Sequence, residues 1–482
     1  MDVISTFARA SRRSPDRVFL IDAASTMSYR EADERSNAVA ANLADRGVAP
    51  DDTVGLCASD RVSMWVAVLG AWKCGALPAL IDPLLGDDDL PYFLEDIGAR
   101  LIAAAPEQRP ALERCGASAI VDLDSLGDGD SAVVNRHGPH SPLYLSYTSG
   151  TTGAPKGVVL RSGEVTLATS CIADRLGLSK DDTLLATTPI PSSFQLIAAL
   201  LPAIHTGSAV ALVSGRPVSE MWKLAKEVGA NVLVAYPLTL ADVVNAPEAQ
   251  EGSPFRVAMS GGSPLAPRIK RDYLEKLGIP LLETYGQSEL GGFMAMGSPS
   301  DGSKAMEGYV GRSLPDRLSY IGGTDNAELA AGEVGEVMVT HGYFLEYRNK
   351  PEKFAESTLG GVLHTGDLAV SDEDGYFKVL GRVQEASSAA RRGGFLRELE
   401  DALYSHPSVL HAAVVETEDG ALAGFYESLV GANLEPDDLL RHAGGLVSES
   451  LLPKTMTEVD SFPRTFSGKA NRLELARRAS EA

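Results

Sequence analysis

Short β-rich runs alternate with helical ones along most of this chain, and that alternation restricts the fold more than any other feature. The runs at 53–57 and 77–81 flank residues 64–73, which are apolar enough for a buried helix. Ahead of them, residues 29–46 place Ala32, Ser36, Val39, Ala40 and Leu43 on one helical face, with Gly47 as a C-terminal stop. Strand-like runs recur at 183–186, 209–213, 232–235, 257–259 and 281–284. Strands alternating with helices predict an α/β fold built on parallel sheets flanked by helices. From about residue 332 the texture changes to shorter β-rich pieces at 336–340, 362–364 and 375–380, a β-rich subdomain over about 332–382. A new unit begins after Arg382, with a helix at 397–406, a strand at 409–415, a second helix near 436–450 and a basic tail. A chain of 482 residues exceeds what one hydrophobic core organises. The expected division is a large N-terminal domain, 1–382, and a small, mobile α+β C-terminal domain, 383–482.

The net charge of −22 argues against a nucleic-acid binder that relies on a basic surface. It fits an enzyme whose few cations are placed locally against an anionic substrate. Cys57, Cys74, Cys115 and Cys171 lie far apart without a CxxC pair, so they read as reduced thiols, not zinc ligands or disulfides. No signal-like N-terminus and no apolar run of membrane-spanning length is present, and the expected address is the cytoplasm.

One loop carries the strongest chemical signal. Tyr147-Thr-Ser-Gly-Thr-Thr-Gly-Ala-Pro-Lys-Gly157 packs glycines, hydroxyls and one lysine between the strand-like runs 143–147 and 158–160. Glycines let backbone N–H groups turn inward as an anion nest, the hydroxyls add donors, and Lys156 supplies a full positive charge. It is not a Walker A loop: Gly157 follows Lys156 where that motif needs a hydroxyl.

Other motifs follow in order. Ser260-Gly-Gly-Ser-Pro264 precedes Thr284-Tyr285-Gly286-Gln287-Ser288-Glu289, where an aromatic ring suits a purine and a carboxylate suits magnesium. A serine-hydrolase elbow beginning at Gly286 is excluded by Leu290 in place of its second glycine. Val310-Gly-Arg-Ser-Leu-Pro315, His364-Thr-Gly-Asp367, Gly375-Tyr-Phe-Lys-Val-Leu-Gly-Arg382 and Pro463-Arg-Thr-Phe-Ser-Gly-Lys469 come next. Together these segments resemble the adenylate-forming superfamily of acyl- and aryl-CoA ligases, luciferases and peptide-synthetase adenylation domains, from about Phe7 to Leu475.

The resemblance implies a stand-alone ligase that uses ATP and Mg2+ to activate a small carboxylic acid as acyl-AMP. It assigns Lys469, Lys156 and Arg382 to catalysis, and Glu289 with Thr148 to the metal. Nucleotide binding falls to Thr148, Ser149, Gly150, Thr151, Thr152, Gly153, Gly261, Gly262, Ser263, Thr284, Tyr285, Gly286, Gln287, Ser288, Asp367 and Arg382. In this family the aspartate matching Asp367 accepts hydrogen bonds from both ribose hydroxyls. The acid pocket is placed around Ser193, Phe194, Tyr236, Gly262 and Gln287. Thr188-Pro-Ile-Pro-Ser-Ser-Phe-Gln195 has no carboxylate to anchor an α-amine, which favours an aryl, heteroaryl or short acyl substrate of the kind used in secondary metabolism.

The hinge departs from the pattern. Gln384 and Glu385 stand where two aspartates are usual, Ser388 replaces a lysine, and Arg391 takes the place of a glycine that lines the pantetheine route. The segment 415–423 is also shorter than usual. The acyl acceptor is therefore a pantetheine thiol of CoA or a carrier protein, or alternatively an amine or other nitrogen nucleophile. A non-catalytic homologue is the third reading, opposed by retention of Lys156, Glu289, Asp367, Arg382 and Lys469. Neither nucleic acid nor membrane is expected as a partner.

Overall fold

A computed structural model describes residues 1–129, 135–148, 155–189, 193–315, 318–417, 420–465 and 468–481; the side chain of Thr148 also lies outside this set. Among the described residues the strands form three sheets, of 13, 7 and 3 strands. The chain is thus mixed α/β, with a large sheet-rich N-terminal part and a smaller C-terminal one.

The strands Thr53–Cys57, Leu77–Ile81 and Leu101–Ala104 pair in parallel at the centre of the seven-stranded sheet. Their near-continuous apolar sequences follow from burial on both faces. Helix Val62–Cys74 is buried at almost every position and serves as shared core between layers, which explains why its sequence carries no polar stripe. It packs on helix Tyr29–Asp45, whose start is fixed by a capping box between Ser28 and Glu31.

In the larger sheet, Val18–Ile21, Ala209–Leu212, Thr183–Ala186, Val232–Val234, Val257–Ser260 and Leu281–Tyr285 run parallel. Past Leu281–Tyr285 the pairing turns antiparallel through Ala295–Met296, Gly311–Ser313, Tyr376–Arg382, Leu363–Ser371, Gly335–His341 and Leu318–Gly322. The β-rich region is therefore hydrogen-bonded into the parallel sheet and takes in strands well before residue 332. His364–Asp367, turn-like as an isolated tetrapeptide, is part of the strand Leu363–Ser371, where Thr365 and Asp367 face inward.

The C-terminal part holds helix Leu396–Tyr404 against Val409–Glu416, which pairs with Leu422–Ser428 and then Thr455–Glu458. The helix expected near 436–450 ends at Gly444, and Glu449–Leu451 forms a separate 3-10 turn. The aberrant hinge folds as a 3-10 turn, Val383–Glu385, and a helix, Ala386–Arg392, ended by Gly393 at φ +73°. Alanine and arginine are strong helix formers, and a left-handed glycine is a favoured stop.

Candidate active site

The site lies beyond the carboxyl ends of Val257–Ser260 and Leu281–Tyr285, where the larger sheet changes from parallel to antiparallel and leaves a crevice. On its phosphate side, strand Lys156–Arg161 pairs with Pro142–Thr148, setting Thr148 opposite Lys156. Ser149, Gly150, Thr151, Thr152 and Gly153 lie outside the described residues, as does the side chain of Thr148.

The two-residue strand Glu346–Tyr347 extends this sheet by pairing with Lys156–Arg161. It delivers Tyr347 beneath Lys156, whose Nζ sits 4.5 Å from the ring centroid. The Tyr347 hydroxyl donates to Glu289 Oε1 at 2.7 Å. Burial, reinforced by the Glu289 charge, raises the Tyr347 pKa, so the phenol stays a donor. Glu289 is buried on the 3-10 turn Ser288–Leu290. Tyr347 thus couples the loop lysine to the carboxylate assigned to magnesium, and sequence reasoning did not identify it.

On the nucleoside side, Thr284 Oγ1 donates to the Ser260 carbonyl at 2.8 Å, tying the two motifs together. Asp367 Oδ2 accepts from the Tyr285 hydroxyl (2.7 Å) and Gln287 Nε2 (2.6 Å), while Oδ1 is 3.1 Å from Arg382 Nε. The carboxylate thus has protein donors on both oxygens and keeps acceptor capacity on Oδ1. Gln287 Nε2 also donates to the Thr365 carbonyl, so its side chain is held against the strand Leu363–Ser371. Gly286 is obligatory, because a Cβ there would lie 2.0 Å from the Gly292 carbonyl oxygen.

On the acid side, Phe194 meets Tyr236 at 5.0 Å and Phe293 at 5.8 Å between ring centroids. Phe194 stands where the chain passes from the Ser193–Gln195 turn into a π-turn, Leu196–Leu200, a local widening frequent at functional sites. Gln195 points away and donates to the Thr188 carbonyl and the Asp60 carboxylate. Gly262 holds φ +73° directly under Tyr236.

The C-terminal part completes the site. Lys469 is presented by a tight turn in which Thr465 N–H donates to the Lys469 carbonyl (2.7 Å) and Gly468 N–H to the Thr465 carbonyl (2.8 Å). Its Nζ lies 5.2 Å from the Tyr236 ring centroid, and desolvation lowers its pKa. Lys156, Glu289, Gln287, Tyr236, Arg382 and Lys469 line one cavity of about 710 Å³, with Ser193 and Ser288 also on its wall. A neighbouring cavity of about 540 Å³, lined by Ser263, Thr284, Tyr285 and Asp367, shares Gly262, Gly286, Gln287 and Arg382 with it and extends into the groove between the two parts. Arg392, paired with Glu416, lines that groove, whereas Arg391 is exposed and bonded to Ser388.

The arrangement can hold a triphosphate and a carboxylate side by side, with a cation from each part of the chain between them. The AMP-binding enzyme family matches residues 7–345. A fatty acid–[acyl-carrier-protein] ligase of Streptomyces coeruleorubidus is 27% identical over 98% of this chain and 95% of its own. A sulfoacetate–CoA ligase of Cupriavidus necator is 28% identical, covering 96% and 95%. The ATP-bound MatB structure from Rhodopseudomonas palustris superposes with a TM-score of 0.87 at 25% identity, covering 100% of this chain and 99% of that one. An anthranilate CoA ligase in complex with anthranoyl-AMP shares the fold with a TM-score of 0.89 at 21% identity, covering 100% and 98%. The chain belongs to the AMP-binding enzyme family, as an AMP-forming acid ligase.

Proposed function

We propose that this protein condenses ATP with a small aryl, heteroaryl or short acyl carboxylic acid and then passes the acyl group to a pantetheine thiol of CoA or a carrier protein. The single observation that carries the first step is Lys469, from the C-terminal part, standing in one cavity with Lys156 and Glu289. In that step a carboxylate oxygen bonds to the α-phosphorus, the bond to the bridging oxygen breaks, and pyrophosphate leaves with its electron pair. Anion attacks anion, so catalysis is alignment plus neutralisation.

Lys156 faces the leaving pyrophosphate and Lys469 spans the carboxylate and α-phosphate, while Asp367 and Arg382 hold the ribose. Glu289 fits a magnesium ion and would hold it: it is a buried hard oxygen donor oriented by the Tyr347 hydroxyl. That ion would supply further charge neutralisation on the phosphates. Phe194, Tyr236 and Phe293 close the acid pocket with uncharged surface, which favours a compact acid without a second charge.

The functional division at Arg382 and Val383 is part of the same proposal, with residues 383–482 carrying Lys469 into and out of the cavity and 332–382 as the β-rich subdomain. Cytoplasmic residence is proposed as well; no described helix is long and apolar enough to cross a membrane. A nitrogen acceptor is the second reading. It is favoured by the helix Ala386–Arg392, which fills the hinge, and by the Arg392–Glu416 pair in the groove beside the nucleoside.

The test is ATP–pyrophosphate exchange over a panel of carboxylic acids, followed by mass spectrometry with CoA, carrier protein or amines. Lys469→Ala should lose about 10²–10³-fold in exchange while transfer from supplied acyl-adenylate survives. Full exchange by that variant would refute the role of Lys469, and amide in place of thioester would select the nitrogen acceptor.

A further inference from the structure

Helix Pro237–Asn245 begins immediately after Tyr236, the ring over which Lys469 rests. The same helix carries Asp242, and Asp242 is the meeting point of two cations or donors from the C-terminal part. His411 Nε2 donates to Oδ1 at 2.7 Å and an Arg464 guanidinium N–H donates to Oδ2 at 2.6 Å. His411 is fully buried on strand Val409–Glu416, with its ring 5.6 Å from that of Phe462. Arg464 lies in the hairpin that bears Lys469, since Arg464 and Ala470 form an antiparallel bridge. One helix and one hairpin therefore meet twice: once through Lys469 and Tyr236, and once through Arg464 and Asp242.

We propose that Asp242 is a positioning residue that latches the C-terminal part onto the N-terminal one and thereby seats Lys469 in the cavity. The latch stands on geometry alone; its consequence for catalysis rests on the adenylation reading above. Asp242 touches no reacting atom. It works because its two oxygens engage two elements of the C-terminal part, His411 on the strand Val409–Glu416 through Oδ1 and Arg464 through Oδ2, and the lysine follows Arg464 by a few residues. Apolar packing also crosses this boundary, where Leu240 and Ala241 share a buried cluster with Val409 and Leu403, but such packing tolerates sliding. A carboxylate hydrogen-bonded to both elements does not. Neighbouring Arg268 donates to the carbonyls of Pro407 and Val409, which fixes the start of the same strand without reaching the lysine hairpin.

The latch must also release, because a C-terminal part that never left would keep the acceptor from the acyl-adenylate. For a closing equilibrium near balance, Asp242→Asn, which keeps one acceptor oxygen but turns charge-assisted hydrogen bonds into neutral ones, should weaken closing about 10–100-fold. Almost all of that loss would appear in the rate of adenylation.

Two readouts test this on the full chain. Spin labels on Leu167→Cys and Val430→Cys, both exposed positions, with Cys115 and Cys171 replaced by serine, report the separation of the two parts without reference to activity. Asp242→Asn should move or broaden the distance distribution while Asp242→Glu, which keeps the charge, restores it. In ATP–pyrophosphate exchange, with the acid that the wild type uses, Asp242→Asn should lower kcat at least tenfold and leave KM for ATP within about twofold. Transfer from supplied acyl-adenylate should be unchanged. An unaltered distance distribution together with exchange within twofold of wild type would overturn the latch. Absence of exchange by the wild type with every acid would instead sink the adenylation reading, and the distance measurement would still decide the latch.

Discussion

Replacing Tyr347 by phenylalanine removes one oxygen atom from the phosphate side and leaves the ring beneath Lys156. That ring is nearly inaccessible, at 4% exposure, and Glu289 is almost as deeply placed at 8%. The 2.7 Å contact between them is thus a hydrogen bond to an ionised, buried acceptor. Such bonds are worth about 1.5–3 kcal/mol net. At 1.36 kcal/mol per decade this is about 10–100-fold in whatever equilibrium depends on it. The cation–π contact with Lys156, worth about 0.5–2 kcal/mol, survives because it needs only the ring. What is lost is the orientation of Glu289. Partners that aim a metal-binding carboxylate typically govern 10–100-fold in metal affinity, which matches the hydrogen-bond figure. The assay is pyrophosphate exchange titrated with free Mg2+ at fixed ATP, alongside direct Mg2+ binding by calorimetry with a non-hydrolysable ATP analogue. Tyr347→Phe should raise the half-saturating Mg2+ at least tenfold, with most of the maximal rate recovered at saturation. A magnesium dependence identical to wild type, in a folded variant, would refute the coupling of Tyr347 to the metal carboxylate.

Two other outcomes follow from the Lys469 environment. Desolvation holds its ammonium below the usual 10.5, so the charge needed for adenylation is lost as pH rises through that lowered value. The kcat/KM for exchange should therefore fall on an alkaline limb below the ordinary lysine range. Lys469→Arg should push that limb outward, and a limb unmoved by arginine would assign it to another group. Gly262→Ala places a Cβ 2.6 Å from Tyr236 Cε1 and 3.3 Å from Lys469 Cε, on a backbone at φ +73°. The backbone strain alone is about 1–2 kcal/mol, and the ring must shift against Phe194. Exchange should fall at least tenfold with a higher KM for the acid, and unchanged kinetics would contradict the pocket assignment.

The parallel strands were legible because strands buried on both faces spell out as short apolar runs, and Thr53–Cys57, Leu77–Ile81 and Thr183–Ala186 sit where those runs predict. His364–Asp367 was less legible: threonine, glycine and aspartate together signal a turn, yet the strand Leu363–Ser371 carries them with a register shift at Leu368 and Ala369. Position in the motif order singled out Asp367, whereas its donors Tyr285 and Gln287 lie about 80 residues away and only the fold brings them together. Tyr347 escaped notice for the same reason, since its link to Glu289 spans 58 residues and its neighbours suggest only a short edge strand. Asp242 is a further case, tied to partners 169 and 222 residues distant. The helix Ala386–Arg392, by contrast, had a local signal in its Ala/Arg run closed by two glycines.

That helix changes how the hinge departures should be weighed. Gln384, Glu385 and Ser388 looked like losses relative to the family pattern, but Glu385 has acquired a partner: its Oε2 accepts from the Arg382 backbone N–H at 3.2 Å. Arg382 in turn faces Asp367 and donates to the Thr365 carbonyl, so one residue ends the strand, opens the hinge and touches the nucleoside wall. Asp367 and the turn Val383–Glu385 are thus joined through Arg382. The two contact sets are separate: Asp242 meets Arg464 near Lys469, whereas Arg382 meets Asp367 and Glu385. The hinge departures therefore bear on the site at two points: Glu385 meets Arg382, which faces Asp367, and Gln384 lines the cavity that also holds Lys469.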